Sequence, residues 1–323
     1  MRIGIVAPSA VVPWVELRMG VQRLKSAGFL VDIHPQCKKK SGFFAGTDEE
    51  RAQAFFEYAK RDDLDVIWSA RGGYGSARIL PILDRLTQQK GKPRSPKLFL
   101  GFSDATAIFH YVRTRWGWSG IHAPMPGGRP FSYMPDRLWR ELVGQVCHSG
   151  RNRFEQKLKW LTKPPAAKVQ GPWLGGNLTV LNSLAGTPYS VKAAGGILFL
   201  EDVSEAWYRI DRTWNQLVQS GALEGVRTVV LGTFEDCRDT VPSVLKKTTQ
   251  KLKAPSPRDM GPLRAMMSSQ SALKQIFGAG GNSLGIPVAY GLKVGHGDSG
   301  LRCMPWGGDA VISPQGLLTL SGV

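Results

Sequence analysis

Short apolar runs alternate with amphipathic stretches through the first half of the chain. Four of these runs predict buried strands, at residues 3–6, 29–33, 65–69 and 98–100. Between the runs, apolar side chains recur at helical spacing, as in the series Trp14, Leu17, Val21 and Leu24 before Gly28. Strands separated by helices of this length pair in parallel through right-handed crossovers. We therefore predict an N-terminal α/β domain with a doubly wound, mostly parallel sheet.

The pattern changes in the second half, where short strands outnumber helices. Strands are predicted at residues 196–200, 228–231, 288–290, 310–312 and 317–320, and one clear helix at residues 207–217. The Pro- and Lys-containing stretch 163–168 marks the change. We therefore predict an α/β domain over residues 1–164 and a smaller, β-rich C-terminal domain over residues 165–323.

Residues 240–274 interrupt the second half without strand periodicity. They hold seven Lys or Arg residues against one acid, Asp259. This composition predicts a flexible basic insertion, and a lid that grips a polymeric substrate is the alternative.

Ser103 stands where an apolar run stops abruptly, on a predicted tight turn with Gly101 and Ala105 as small flanking residues. A strand, a sharp turn and a helix around Gly-x-Ser-x-Ala are typical of a nucleophile elbow. The alternative is a strand end with serine as a helix N-cap. The segment Arg71-Gly-Gly also follows a predicted strand, and ligand-binding groups gather at the carboxyl ends of parallel strands.

A serine nucleophile needs a base to take its proton and a group that orients the base. Among the five histidines, His296 lies in a Gly-rich segment that lets the backbone approach closely, which makes it the first candidate for the base. His122, after a predicted strand, is the reserve candidate. His110 lies seven residues beyond Ser103 on the same predicted helix, too far along it to reach back.

Glu201 is the candidate for the orienting acid. It ends the apolar strand at residues 197–200, and a buried carboxylate without a partner is costly. That partner is either an arginine, Arg209 or Arg212, or the Nδ1–H group of His296. The chain order Ser, Glu, His is that of strand-end triads on α/β sheets. Acid and base would then come from the second domain, so the site would lie in the cleft between the domains.

Length and composition are those of a globular protein, with 323 residues of which 42% are hydrophobic. No apolar run approaches the roughly 18 residues of a membrane-spanning helix. Pro8 and Pro13 interrupt the N-terminal apolar stretch, so we expect a first strand there rather than a signal peptide, and a cytoplasmic protein. The four cysteines, Cys37, Cys147, Cys237 and Cys303, lie far apart, and the histidines do not pair at ligand spacing. These spacings argue against disulfides, zinc or another metal.

The net charge of +17 is the most unusual bulk property of the chain. Such an excess attracts anions, including nucleic acid, phosphate-bearing substrates and anionic cell-wall polymers. A general bias of the source proteome toward Lys and Arg explains it equally well. A non-catalytic nucleic-acid-binding protein is a further alternative, but the sequence has no helix-turn-helix and no aromatic-basic RNA motif.

A set of short motifs resembles the LD-carboxypeptidase family of serine peptidases, which includes muramoyltetrapeptide carboxypeptidases and microcin C self-immunity peptidases. The motifs occur in the family's order over nearly the whole chain: IVAPS (5–9), RGGYG (71–75), GFSD (101–104), GGNL (175–178), LAGT (184–187), LEDV (200–203), YRIDR (208–212), GHG (295–297) and MPWG (304–307). Each piece is weak by itself, and the ordered set is specific.

The resemblance implies catalytic roles for Ser103 as nucleophile, His296 as general base and Glu201 as its orienting partner. The backbone N–H groups of Asp104 and of Gly73 or Gly72 would form the oxyanion hole. The substrate-binding residues expected beside them are Arg71, Trp173 and Asn177. Trp173 could stack on the nucleotide base of a substrate that contains one. The alternative is that its indole ring is buried in the core.

The activity that the resemblance implies is cleavage of the L,D-amide bond to the terminal D-alanine of cell-wall tetrapeptides through an acyl-enzyme, in peptidoglycan recycling. A peptidase that detoxifies aminoacyl-nucleotide antibiotics of the microcin C type is the alternative. The family implies a homodimer, and we expect no cofactor. Two departures from the family pattern are the long 240–274 stretch and Lys293-Val294, which replace the usual Pro-Phe before Gly-His.

Overall fold

The fold is taken from a computed structural model that describes residues 1–150, 153–238 and 269–322. The predicted insertion at 240–274 therefore lies, up to residue 268, outside the described residues. The strands are β1 (Arg2–Val6), β2 (Leu30–Ile33), β3 (Val66–Ser69), β4 (Leu98–Gly101), β5 (Gly120–His122), β6 (Phe154–Lys157), β7 (Lys159–Trp160), β8 (Val169–Asn177), β9 (Ile197–Val203), β10 (Thr228–Glu235), β11 (Val288–Tyr290), β12 (Met304–Trp306), β13 (Asp309–Ile312) and β14 (Leu317–Leu320).

The α-helices are α1 (Trp14–Ser26), α2 (Asp48–Lys60), α3 (Ser76–Lys90), α4 (Thr106–Trp116), α5 (Arg129–Ser132), α6 (Asp136–Cys147), α7 (Leu178–Leu184), α8 (Trp207–Gln219), α9 (Ser269–Leu273) and α10 (Ala279–Leu284). Helix α2 begins with the capping box that its sequence indicates, because Thr47 and Glu50 each bond the other's backbone N–H. In the described ranges, none of the helices combines the length and apolar character needed to cross a bilayer.

The first sheet has six strands in the order β12-β5-β4-β3-β1-β2, and all neighbours pair in parallel except β12 and β5. Successive side chains along its strands point to opposite faces of the sheet and pack in different hydrophobic clusters. Ile5 and Trp68 pack with α1, α5 and α6, whereas Val6 and Ile67 pack with α2, α3 and α4. Helices therefore cover both faces, which confirms the predicted doubly wound, mostly parallel sheet.

The second sheet has eight strands in the order β6-β14-β13-β8-β9-β10-β11-β7. Its centre, β8 to β11, is parallel, and the flanking strands are antiparallel. The two-domain α/β architecture with a β-rich second half is thus confirmed. The division at residues 164 and 165 stays a prediction, since β6 starts at Phe154 and β12 returns to the first sheet.

One apolar core connects the two sheets. It contains Phe99 of β4 and Ile108 of α4 together with Leu178 of α7, Leu198 of β9 and Trp207 of α8. Helix α4 thus packs on the first sheet and also contacts α7 and β8 of the second half. The segment 291–303 crosses between the sheets as well, because it links β11 of the second sheet to β12 of the first.

Candidate active site

Ser103 occupies a strained turn at the carboxyl end of β4. Its φ angle is 60°, a left-handed conformation that is unfavourable for a residue with a Cβ atom. The turn is also crowded, since a Cβ on Gly101 would lie 2.8 Å from the Cβ of Ala105. A short 3₁₀ turn, Ser103–Ala105, then leads into α4. This strand, strained serine and helix have the geometry of a nucleophile elbow.

The Gly-rich loop after β3 lies directly opposite Ser103. A Cβ on Gly72 would lie 3.1 Å from Ser103 Cβ and 3.2 Å from its Oγ, closer than side chains usually pack, so glycine allows the loop to approach the serine without crowding it. Gly73 has a φ angle of 100°, and the carbonyl of Gly72 accepts a 3.2 Å hydrogen bond from the Ala10 backbone. Among residues 1–150, 153–238 and 269–322, the N–H groups of Gly72 and Gly73 have no hydrogen-bond acceptor.

Glu201 and His296 form a hydrogen-bonded pair. Glu201 is fully buried, and its Oε2 accepts bonds from His296 Nδ1 at 2.6 Å and from the His296 backbone N–H at 3.2 Å. Of the two partners considered for Glu201, the structure therefore places the histidine beside it. Arg209 instead lies 3.6 Å from Glu205.

The two charges in this pair control each other's titration. Burial by itself raises the pKa of Glu201, but the charge and hydrogen bond of His296 outweigh it and hold that pKa below its usual value. Burial lowers the pKa of His296, and the Glu201 carboxylate more than compensates, so the His296 pKa lies above its usual value. Because Nδ1 faces Glu201, Nε2 is the nitrogen that can exchange a proton elsewhere.

His296 lies against the elbow. Its ring centroid is 4.8 Å from that of Phe102, the residue before Ser103. The crossing segment between the sheets brings it there from the second half of the chain. Within the described ranges, no hydrogen bond joins Ser103 Oγ to His296. Such bonds are often long or poorly aligned until substrate binds.

A cavity of about 180 Å³ opens beside Ser103. Gly72, Gly73 and Phe102 line it together with Arg71 and residues of the 124–131 segment. Ser103 and the loop that contains Gly72 and Gly73 therefore border one space. In the described part of the chain, no group of three or more His, Cys, Asp or Glu side chains could hold a metal ion.

The three predicted substrate-binding residues occupy different surroundings. Arg71 is exposed at the cavity, and its guanidinium donates to the Val11 carbonyl at 2.7 Å. Trp173 is 1% exposed and stacks on Phe199 in the core of the second sheet. Asn177 is buried at the start of α7, where its side chain accepts from Val180 N–H and donates to Asp202.

The two other histidines considered for the base are both buried. His110 is buried and bonds the Gly175 carbonyl at 3.2 Å, and burial lowers its pKa to about 4. His122, the reserve base, is 2% exposed between Phe102 and Phe199, and burial lowers its pKa to about 4 as well.

Two side-chain roles at the site were not predicted from the sequence. The Asp104 side chain bonds the start of α3, and Thr106 Oγ1 accepts a 3.0 Å bond from Asn177 N–H of β8. The only signal for either was its proximity in sequence to Ser103.

Two family models match the chain in succession. One, for the LD-carboxypeptidase N-terminal domain, matches residues 3–123, and the other, for the C-terminal domain, matches residues 170–312. The chain belongs to the LD-carboxypeptidase family. It is therefore a hydrolase of the carboxypeptidase class, and Ser103 lies in the first matched domain while Glu201 and His296 lie in the second.

Individual relatives resemble this LD-carboxypeptidase over most of their length. The murein tetrapeptide carboxypeptidase of Pseudomonas aeruginosa is 28% identical over 317 residues, which is 96% of this chain and 92% of the relative. The microcin C7 self-immunity protein of Escherichia coli is 26% identical over 260 residues, 72% of this chain and 74% of the relative. The crystal structure of muramoyltetrapeptide carboxypeptidase from Oxalobacter formigenes superposes with a TM-score of 0.77 at 27% identity, and 99% of each chain is covered.

Proposed function

We propose that this LD-carboxypeptidase is a serine peptidase that removes the terminal D-alanine from murein tetrapeptides by cleaving an L,D-amide bond. Ser103 is the nucleophile, His296 the general base and Glu201 the group that orients His296. The backbone N–H groups of Asp104 and of Gly72 or Gly73 stabilise the oxyanion.

The proposed reaction runs in two halves. Ser103 Oγ attacks the carbonyl carbon of the scissile bond while its proton passes to His296 Nε2. The tetrahedral intermediate collapses, the C–N bond breaks, and the same proton passes to the amine of D-alanine, which leaves. Water then attacks the ester carbonyl carbon on Ser103 while His296 takes a proton from it. The bond between that carbon and Ser103 Oγ breaks, His296 returns the proton to Oγ, and the tripeptide is released with a free carboxylate.

The observation that carries this proposal is the buried Glu201–His296 pair, 2.6 Å apart, lying against the elbow that holds Ser103 in a left-handed conformation. A carboxylate that accepts both the Nδ1–H and the backbone N–H of a histidine fixes its tautomer and ring orientation. The relatives named for murein or muramoyl tetrapeptides support the choice of substrate.

We also propose that the protein acts in the cytoplasm, in peptidoglycan recycling. We also propose that it acts as a homodimer, which sedimentation at several protein concentrations would test.

The reaction is tested by incubating purified protein with muramoyl tetrapeptide and analysing the products by mass spectrometry. We expect free D-alanine and the muramoyl tripeptide in equal amounts. Cleavage at another bond, or no D-alanine, would contradict the proposal.

Hydrolysis of an aminoacyl-nucleotide antibiotic is the second candidate, because the microcin C7 self-immunity protein is among the relatives. Trp173 is buried, so its indole ring is not exposed for stacking on the nucleotide base of such an antibiotic. Rates on both substrates, measured with one preparation, separate the candidates. We expect kcat/KM to be higher for the tetrapeptide, and the reverse ratio would favour the antibiotic.

A further inference from the structure

The side chain of Asp104 joins the two loops that supply the proposed oxyanion donors. Asp104 is 3% exposed and follows Ser103 in the 3₁₀ turn. Its Oδ2 accepts a 2.8 Å bond from the backbone N–H of Ser76, and Ser76 Oγ donates to the Asp104 carbonyl. Ser76 is fully buried and begins α3 directly after Gly75. The elbow is thereby tied to the end of the Gly-rich loop.

Other bonds hold the same loop from its opposite side. The buried guanidinium of Arg51 donates to the carbonyl of Gly75 at 2.8 Å and to that of Pro8. Nearer Ser103, the backbone of Ala10 donates to the Gly72 carbonyl. With these anchors on one side, the two bonds between Asp104 and Ser76 fix the loop's position relative to the elbow.

Asp104 Oδ2 lies at the N-terminus of α3, a helix of 15 residues. The first turn of a helix leaves its backbone N–H groups without a partner inside the helix, and the buried Oδ2 accepts a bond from one of them, that of Ser76. The two bonds between Asp104 and Ser76 therefore hold the start of α3 against the elbow.

We propose that the Asp104 carboxylate is a positioning residue that sets the spacing between the two sets of oxyanion donors. This assignment rests on the proposed serine mechanism, and it adds a side-chain role to a residue whose backbone N–H alone was expected to act. Donors must lie about 2.7–3.1 Å from the developing oxyanion, and a misplacement of about 1 Å costs about 10²-fold in rate.

The test compares Asp104→Ala with Asp104→Asn. We expect Asp104→Ala to lower kcat about 10²-fold and to change KM less than about threefold, since the oxyanion forms only after substrate has bound. Affinity for a peptide aldehyde, which forms a tetrahedral adduct on the serine, should fall in parallel, whereas affinity for the tripeptide product should not. Asp104→Asn keeps an acceptor oxygen for Ser76 N–H and should recover most of the lost kcat.

Thr47→Ala is the matched control, because it removes a comparable bond at the N-terminus of α2, and it should lower the Tm without changing kcat. A folded Asp104→Ala enzyme with unchanged kcat, or a loss confined to KM, would overturn the proposal. Equal losses of kcat in the Ala and Asn variants would also overturn it.

If Asp104→Ala does not fold, Ser76→Ala provides a second test. It removes the bond from Ser76 Oγ to the Asp104 carbonyl and should lower kcat about fivefold, and an unchanged kcat would count against the proposal.

A failure of the proposed function can be distinguished from a failure of the role proposed for Asp104. Wild-type protein that releases no D-alanine would argue against the proposed substrate, while aldehyde binding by the wild type and the Asp104 variants still reports on the oxyanion hole.

Discussion

The pairing of His296 with Glu201 has a consequence for the pH dependence of the reaction. A base must be neutral to accept a proton, and the Glu201 charge holds the pKa of His296 above its usual value despite burial. We therefore expect kcat/KM to rise with pH and to reach half its maximum above about 6.5, the ordinary pKa of histidine.

Replacing Glu201 separates charge from shape. Glu201→Gln removes the negative charge from a fully buried position, so the pKa of His296 should fall and the acidic limb of the pH profile should move to lower pH. The maximal rate should drop at least about 10²-fold, because the tautomer and orientation of His296 are no longer fixed. A pH–rate profile that keeps its midpoint would contradict the assigned partner.

Gly72 is a second residue whose replacement has a defined effect. The Cβ of an alanine would lie 3.1 Å from the Cβ of Ser103 and 3.2 Å from its Oγ. Gly72→Ala should therefore crowd the nucleophile and lower kcat by about 10- to 100-fold. Gly144→Ala in α6 serves as the control, since its Cβ would meet nothing within 4 Å and its φ angle is not positive. Full activity of Gly72→Ala would show that the loop does not face the reacting atoms.

At the scale of elements, α4 and β8 hold the elbow against the second half of the chain. Thr106 Oγ1 accepts from Asn177 N–H at 3.0 Å, while His110 of α4 and Trp306 of β12 both bond the Gly175 carbonyl. The residues that connect the domains thus begin only three positions after Ser103.

Thr106→Val tests this connection, because valine keeps the shape and removes the acceptor. The buried Asn177 N–H would lose its partner, so we expect a loss of about 1–3 kcal/mol in the free energy of unfolding and a reduced kcat. Thr319→Val, at an exposed bond to Glu155, should change neither by a comparable amount. Denaturant unfolding and initial rates provide both readouts.

The elements also show how far the sequence predicts the structure. Strands β1, β3 and β4 and the capped helix α2 were predictable because apolar runs and capping residues are local signals. Strand β8 was missed, since Gly171-Pro172 and Gly175-Gly176 hide its pattern, yet it lies at the centre of the second sheet. Strand β12 was missed because three residues that pair with β5 across the chain have no local signature.

The site divides in the same way. Ser103, Glu201 and His296 could be proposed from turn chemistry, strand ends and the order of motifs. The roles of the Asp104 and Thr106 side chains could not, because each depends on a partner from a distant segment. The role of Asn177 in binding substrate stays a prediction, and its bonds to Asp202 and Val180 are again contacts that the local sequence does not indicate.

At the scale of the whole molecule, the four cysteines differ in their exposure. Cys37, Cys237 and Cys303 are buried and Cys147 is exposed. Burial raises the pKa of Cys37 and that of Cys237 to about 12, and it raises that of Cys303 as well, so these thiols should be unreactive. A thiol reagent should modify one group per native chain and four after denaturation. Cys147→Ser should abolish the native reaction, and a second fast-reacting thiol would contradict the burial.

The two halves of the chain together build the proposed site, with nucleophile and oxyanion donors on the first sheet and acid and base from the second half. The crossing segment and α4 bring them together. Catalysis should therefore require both halves of the chain, because neither half supplies all of the proposed catalytic groups.

The most direct test of this account compares initial rates of D-alanine release by wild-type protein and by Ser103→Ala, with exposed Ser183→Ala as the control. The account predicts release by the wild type and the control at equal rates and a loss of at least about 10⁴-fold in Ser103→Ala. Release by Ser103→Ala at a rate near that of the wild type would contradict the central role of the Ser103 elbow.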